Sequence, residues 1–430
     1  MERLAVIGSG IAGLSAARAL SRSAGHRVTL FEAGQHCGGH ANTVDVTIDG
    51  VTHGVDTGFL VCNARTYPRL IRLFGEIGIE TVPAEMSFSV QARSHALEWS
   101  GSNLASVFAQ PVNLLRPAFW RMLADIARFN RLASQIARVG GDAALNQPIG
   151  AFLDEHRFGR EFRAWYLLPM IGCIWSCPTA QVLAFRIGTL IRFCHNHGLL
   201  QVSDRPQWLS VQGGSRSYVQ RIVNELPDVR LDTPVLGVQR IAAGALLRTA
   251  TATEHYDQVV FACHSDQALR LLGADASPAE ASVLGAIRYQ PNRAVLHTDT
   301  ALLPVRQAAW AAWNYESSLR EDDDTTGVCL HYLLNRLQPL PWKTPLIVSL
   351  NPVREPRADA VIRRFDYDHP VFDLAAIAAQ GRLGDIQGRR RSWFCGAWAG
   401  YGFHEDGLAS GMAVAEALLQ AGVARQQGAA

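Results

Sequence analysis

The stretch Gly8-Ser9-Gly10-Ile11-Ala12-Gly13, set between an apolar run and a helical pattern, constrains the fold of this chain more than any other. Residues 3–8 are a short apolar run ending in glycine, residues 11–22 carry helical spacing, and Arg27–Glu32 reads as a second strand. The spacing predicts a βαβ unit. In such a unit Gly8 permits a tight turn, Gly10 lets the backbone approach a pyrophosphate at the helix N-terminus, and Gly13 lets helix and strand pack closely, with Ala12 beside it at the helix start. Glu32 ends the second strand 19 residues after Gly13, where a carboxylate accepts hydrogen bonds from both hydroxyls of an adenosine ribose and disfavours a 2′-phosphate. Ala33 follows it. NAD and FAD both satisfy this pattern. The pair Gly38-Gly39, followed by His40, adds a second close backbone approach and favours FAD.

At 430 residues, 48% hydrophobic and 18% charged, the chain can bury a large core in two or three domain-sized units. The net charge of +2 supplies no global field for nucleic acid. Lys343 is the only lysine among 40 basic residues and lies in a Pro-rich stretch, which leaves almost no room for Schiff-base chemistry. The eight cysteines are scattered; only Cys173 and Cys177 come close, without the further ligands zinc needs, so no metal is expected and all are read as reduced thiols. No secretory signal or spanning run of ~20 apolar residues is visible, which points to a cytoplasmic protein.

Helical, Arg-rich and aromatic-rich texture fills residues 81–204. α/β texture returns at Trp208–Gly214, in the strand-like Asp232–Val238 and in Tyr256–Cys263, read as one buried parallel strand. Residues 266–389 differ again, with strands near Arg293–Thr298 and Val328–Leu334 and an acidic loop at Glu321–Asp324. A last strand and helix follow at Ser392–Gly396 and Leu408–Ala424. The expected class is α/β: a Rossmann-type FAD-binding domain of residues 1–80, 205–265 and 390–430, interleaved with an α+β substrate domain of residues 81–204 and 266–389.

These motifs resemble the flavin-containing amine oxidase superfamily, which includes monoamine oxidases, protoporphyrinogen oxidase and phytoene desaturases. Beyond the N-terminal glycines, Val55-Asp-Thr-Gly58-Phe59 resembles the segment beside the flavin. Val211–Ser215 and Thr233-Pro-Val235 resemble the return into the FAD domain, with Val235 at the adenine end. Gly396 and Gly402-Phe403-His404 through Leu408 to Gly411 resemble the closing motif. A helix entered there aims free N–H groups and its positive dipole end at the flavin pyrimidine.

The resemblance implies hydride transfer from a substrate carbon to a non-covalent FAD, since no cysteine lies in residues 365–390, where some relatives attach the flavin. His40 replaces the family's arginine after the glycine pair. Two further departures argue against ordinary amine oxidation: the flavin-facing lysine aligns with Arg293, a cation that cannot act as a base, and the tyrosine of the amine-facing cage aligns with Phe403. Within the superfamily, Ile174-Trp-Ser, Gln207-Trp, Gly213–Arg216 and Phe403–Gly407 resemble a bacterial branch of predicted NAD/FAD-binding oxidoreductases associated with cyclopropane-fatty-acid-synthase-like methyltransferases. That implies a hydrophobic partner, an acyl chain, and desaturation of a methylated fatty acid; the alternatives are a flavin amine oxidase and a non-catalytic carrier of the same fold. Arg293, Phe403 and His404 are the expected catalytic residues, His404 touching the flavin through its backbone or accepting a proton. The Arg-rich segment 116–139 is read as a core helix with a solvated face or as a peripheral contact with the inner face of the membrane. His195 and His197 have the spacing of a strand metal site but no nearby acids, and are read as structural. His331, Tyr332 and Trp313–Tyr315 are expected either to line the pocket or to fill the core. The oligomeric state stays open.

Overall fold

In the computed structural model, which describes residues 1–139, 145–175, 182–201, 205–317 and 328–428, the βαβ unit forms as its pattern requires. Strand Glu2–Ile7, helix Ile11–Ser21 and strand His26–Phe31 build the middle of a five-stranded parallel sheet. Across that sheet the order is Ser392–Phe394, Gln258–Phe261, Glu2–Ile7, His26–Phe31 and Val229–Arg230. Leu4, Ala5 and Val6 are buried on successive positions, as are Val259, Val260 and Phe261, because a parallel sheet is covered on both faces. The chain leaves this sheet after Phe31 and after Phe261 and returns to it each time.

A second, seven-stranded sheet runs Val361–Pro370, Tyr289–His297, Ile347–Leu350, Cys329–Leu333, Trp313–Glu316, Phe88–Ala92 and Leu97–Ser100. It is antiparallel except where Trp313–Glu316 meets Phe88–Ala92. Helices Pro117–Val139, Ile149–Glu155, Leu168–Trp175 and Ile187–Asn196 flank it around a core that includes Phe129, Phe152, Phe158 and Phe162.

Several local expectations change. The region from residue 81 opens with strands, Thr81–Ala84, Phe88–Ala92 and Leu97–Ser100, where helices were expected. Their alternation is masked because Ser89 and Gln91 are buried polar residues, bonded to Asn314 at 2.8 Å and Glu98 at 3.1 Å. Tyr256–Cys263 is two strands, divided at Asp257, whose backbone and carboxylate both bond Arg3. Of Asp232–Val238 only the part from Gly237 pairs as a strand, since the Thr233 N–H is taken by the Glu32 carbonyl at 2.9 Å. His195 and His197 sit at the end of a helix, not on a strand. The last helix begins at His404. Cys177, Ser176 and the acidic loop Glu321–Asp324 lie outside the described residues, among which the seven cysteines are unpaired and five of them buried.

Candidate active site

The N-terminal glycines form a cradle whose parts differ in what they can tolerate. A Cβ on Gly13 would stand 1.9 Å from the Gly8 carbonyl oxygen, so the helix rests directly on the preceding turn. Gly8 holds φ +104°, the left-handed region that glycine alone enters freely, with Ala262 against it. Gly10 is different. Nothing lies within 4 Å of where its Cβ would be, and it heads an 11-residue helix that has no side-chain cap and no acid in its first turn. The leading N–H groups therefore face open space, with the helix dipole behind them. Gly38 joins the same corner through its N–H to the Ser9 carbonyl at 3.0 Å. At the strand end, Glu32 is held in place: Oε2 accepts from the Ser9 N–H at 3.0 Å and Ser9 hydroxyl at 2.5 Å, and Oε1 from the Gly34 N–H at 2.8 Å.

A second helix N-terminus converges on this corner. The C-terminal helix lies tight against Ile11–Ser21 because Gly407 and Gly411 face it; a Cβ on Gly411 would stand 2.1 Å from the Ala12 carbonyl oxygen. Ser15 ties the crossing by donating to the carbonyls of Ala12 at 2.9 Å and Leu408 at 3.3 Å. Its first turn is capped by Asp406, which accepts from the Phe403 N–H at 2.9 Å and whose carboxyl burial raises to about 6. Glu405 instead caps the neighbouring helix Pro68–Ile77, accepting from the N–H groups of Arg69 and Leu70 at 3.0 Å each. The His404 ring stacks on Phe59 at 4.0 Å and its Nε2 shares a 2.5 Å hydrogen bond with the Tyr218 hydroxyl. Burial pushes it down to about 3, so the ring is neutral and engaged in packing.

Both helix ends open into one cavity of about 1410 Å³, beyond the ~300–1,000 Å³ usual for a single drug-sized ligand and therefore large enough for a dinucleotide and a substrate together. One arm is walled by a row of nearly parallel rings. Phe403 stacks on Phe193 at 5.1 Å, Phe193 on His197 at 3.8 Å, and His197 faces Trp208 at 6.1 Å. The His197 Nδ1–H donates to the Phe193 carbonyl at 2.9 Å, which fixes the tautomer and leaves Nε2 as the ring's acceptor; burial lowers the ring to about 4. Trp313 and Tyr332, edge to face at 5.1 Å, line the same cavity. Three acids line the cavity among the described residues. Glu32 serves the ribose end, Glu85 is held by Arg336 at 2.6 Å and Ser87 at 2.5 Å, and Asp368 adjoins His369. His369 accepts at Nδ1 from Asn292, 2.8 Å away, is lowered to about 4 by burial, and stands 5.3 Å from the His40 ring.

Of the residues expected to bind a cofactor, Gly8, Gly10, Ala12, Glu32, Ala33, Gly38, Gly39, His40, Gly58, Phe59, Val235, Gly396, Phe403 and His404 line this cavity. Gly13 and Leu408 do not: Gly13 is spent on packing, and Leu408 is buried in the core beside the first helix. Arg293 is misplaced by the alignment. It points away from the cavity and pairs with Glu355 at the surface, while its neighbour Asn292 faces inward to His369. Trp313 and Tyr332 line the pocket, whereas His331 is buried in a separate polar network with Glu316 at 2.9 Å and Ser349 at 2.6 Å. Those three, with His297, lie outside the cavity, and Arg93 and Arg354 already neutralise Glu316. Trp398, His369 and Phe193 line the cavity with no motif to single them out, and His197 and Trp208, expected as a structural histidine and as part of a strand, belong to its wall.

The family model for flavin containing amine oxidoreductases matches residues 11–338. The chain belongs to that family. (S)-6-Hydroxynicotine oxidase of Paenarthrobacter nicotinovorans is 28% identical over 242 residues, 55% of this chain and 53% of that protein. The chain thus spans about half the length of the curated relatives it matches. Among solved structures, cyclohexylamine oxidase from Brevibacterium oxydans is similar at a TM-score of 0.67 with 16% identity, covering 97% of this chain and 99% of that one. A fatty acid isomerase from P. acnes is similar at 0.68 with 13% identity, covering 97% and 98%. FAD is the family's cofactor, and the open Gly10 corner, the uncapped end of helix Ile11–Ser21 and the oriented Glu32 carboxylate fit it.

Proposed function

We propose that this protein is an FAD-dependent oxidoreductase that removes hydrogen from an apolar, acyl-type substrate held against the Phe403–Trp208 wall. When bound, FAD supplies the acceptor for two electrons and one hydrogen from a substrate carbon. The chain's own residues do the rest. Gly10 and the helix behind it would hold the diphosphate and Glu32 the ribose, and the N-terminus of the C-terminal helix, which opens into the same cavity, would favour negative charge on the bound group. The aromatic row excludes water and presents a flat apolar surface along which a chain can lie. His197, with Nδ1 committed to Phe193, keeps Nε2 as an acceptor for a proton leaving the neighbouring carbon.

The lining carries this reading. Among the described residues Glu85, whose neighbour Ala84 pairs with Trp208 of the wall, is already bound by Arg336 and Ser87 and so is a poor partner for an ammonium group, while the wall offers a hydrocarbon several rings. Amine oxidation is the second reading, favoured by the kinship with (S)-6-hydroxynicotine oxidase. The fold alone does not choose, since its neighbours include both an amine oxidase and a fatty acid isomerase. Anaerobic mixing of the holoprotein with fatty acyl compounds and, separately, with simple amines separates the two. Bleaching of the flavin by acyl compounds alone is expected; bleaching by amines alone overturns the proposal.

A further inference from the structure

Residues 104–120 are folded with their polarity reversed. In this surface segment Gln110 and Asn113 are buried at 6% and 0%, while Leu104, Leu115, Val112 and Leu114 are exposed at 80%, 83%, 47% and 50%. The reversal is built in. The Gln110 side chain accepts from the Glu98 N–H at 2.8 Å, Asn113 reaches the Glu98 carbonyl at 3.4 Å, and the short turn Pro111–Leu115 that carries Asn113 has to present its leucines outward. Trp120, half exposed, is fixed above it by donating from Nε1 to the Leu114 carbonyl at 2.9 Å and by packing on Phe108 at 5.6 Å. Val305, 80% exposed, adds to this face, because the turn that follows it packs against helix Leu104–Val107. A water-facing loop that turned its amides inward and its leucines outward would be unfavourable, so the surface is matched to something apolar.

Charge says what covers it. Residues 101–139 hold five arginines, Arg116, Arg121, Arg128, Arg131 and Arg138, against Asp125 alone, a net +4 in a chain whose total is +2. Arg116, Arg121 and Arg306, next in sequence to Leu115, Trp120 and Val305, put positive charge beside the apolar prongs, and that pairing, with a tryptophan among them, suits the interface of a bilayer that carries anionic lipid. The helix Pro117–Val139 does not itself lie in the lipid, because its apolar stripe of Phe119, Met122, Phe129 and Ala133 is buried in the core. The turn ahead of it makes the contact.

We propose that Leu104, Val112, Leu114, Leu115, Trp120 and Val305 form a docking surface that seats the protein on an anionic membrane. Val107 of the same segment, Gly101 and Ser102 just ahead of it, and Leu123 and Ile126 of the following helix line the cavity. The docking face is thus the outer side of the cavity's own wall. The inference concerns the surface and holds whichever substrate is oxidised.

Co-sedimentation of the holoprotein with phosphatidylcholine vesicles, with and without phosphatidylglycerol, tests it. Wild type is expected to bind the mixed vesicles, less so at high salt, and the doubly exposed variant Leu104→Asp/Leu115→Asp to bind at least tenfold more weakly while keeping its flavin and its melting temperature. Equal binding by wild type and variant, or no binding by wild type, overturns the proposal. So does a wild-type dimer in light scattering that the variant abolishes, because the patch then serves a second copy of the chain.

Discussion

Gly10→Val and Gly13→Ala probe the same six residues and are expected to fail in opposite ways. At Gly10 the backbone is at φ −62° and ψ 173°, which valine adopts without strain, and no heavy atom lies within 4 Å of the new Cβ. The folded chain therefore loses only the difference in N-cap preference, about 1 kcal/mol, or roughly 1 °C in a chain of 430 residues. The isopropyl group instead fills the space in front of the helix N-terminus. Each charge-assisted hydrogen bond to the diphosphate is worth ~1.5–3 kcal/mol, so loss of one or two weakens FAD binding by about ten- to ten-thousandfold. At Gly13 the added Cβ would stand 1.9 Å from the Gly8 oxygen, against ordinary contact from 3.4 Å, and helix or strand must move. Such overpacking costs ~1–3 kcal/mol or more before any cofactor is considered. Flavin content after gel filtration and thermal unfolding of the flavin-free forms separate the two. A Gly10→Val protein that keeps stoichiometric FAD with wild-type affinity would refute the placement of the diphosphate.

Gly411→Ala should cost ~1–3 kcal/mol in thermal unfolding, because its Cβ meets the Ala12 oxygen at 2.1 Å and pries the two helices apart; an unchanged melting temperature contradicts the crossing. Arg293→Ala removes a surface pair worth ~0–1 kcal/mol and should leave FAD content and turnover within twofold of wild type; a large loss of turnover would return Arg293 to the site. Burial lowers His197, His297 and His369 to about 4 and His404 to about 3, so the folded protein keeps them neutral while the unfolded chain protonates them near 6.5. Their contribution is complete above that value and is lost as pH falls from about 6.5 towards 4, with a slope of up to ~5 kcal/mol per pH unit near pH 5. Melting temperatures of the flavin-free protein flat from pH 7 to about 4.5 would contradict this.

The cradle was legible in the sequence because its glycines act locally: the turn at Gly8, the open Gly10 and the packed Gly13 concern residues within one βαβ unit. Placement on the second sheet was not. In the strand Tyr289–His297 a slip of one residue exchanges the two faces, and Asn292 rather than Arg293 looks inward. In the wall of Phe403, Phe193, His197 and Trp208, Phe193 and His197 lie one helical turn apart, but Phe403 and Trp208 come from other stretches and no periodicity links them to that turn. Leu408 carries the closing motif's spacing but falls on the helix face that meets Ile11–Ser21. The reversed turn at Pro111–Leu115 could have been noticed as leucines in a loop, but only burial of Gln110 and Asn113 gives them meaning.

The measurement closest to the central claim is a single anaerobic turnover of the holoprotein with a long-chain acyl substrate, reading the visible flavin spectrum and the mass of the recovered acyl chain together. Loss of two hydrogens from the chain for each flavin bleached is the expected result. A flavin that stays oxidised with every acyl compound yet bleaches with an amine, whose carbon is then recovered as a carbonyl, would contradict the account.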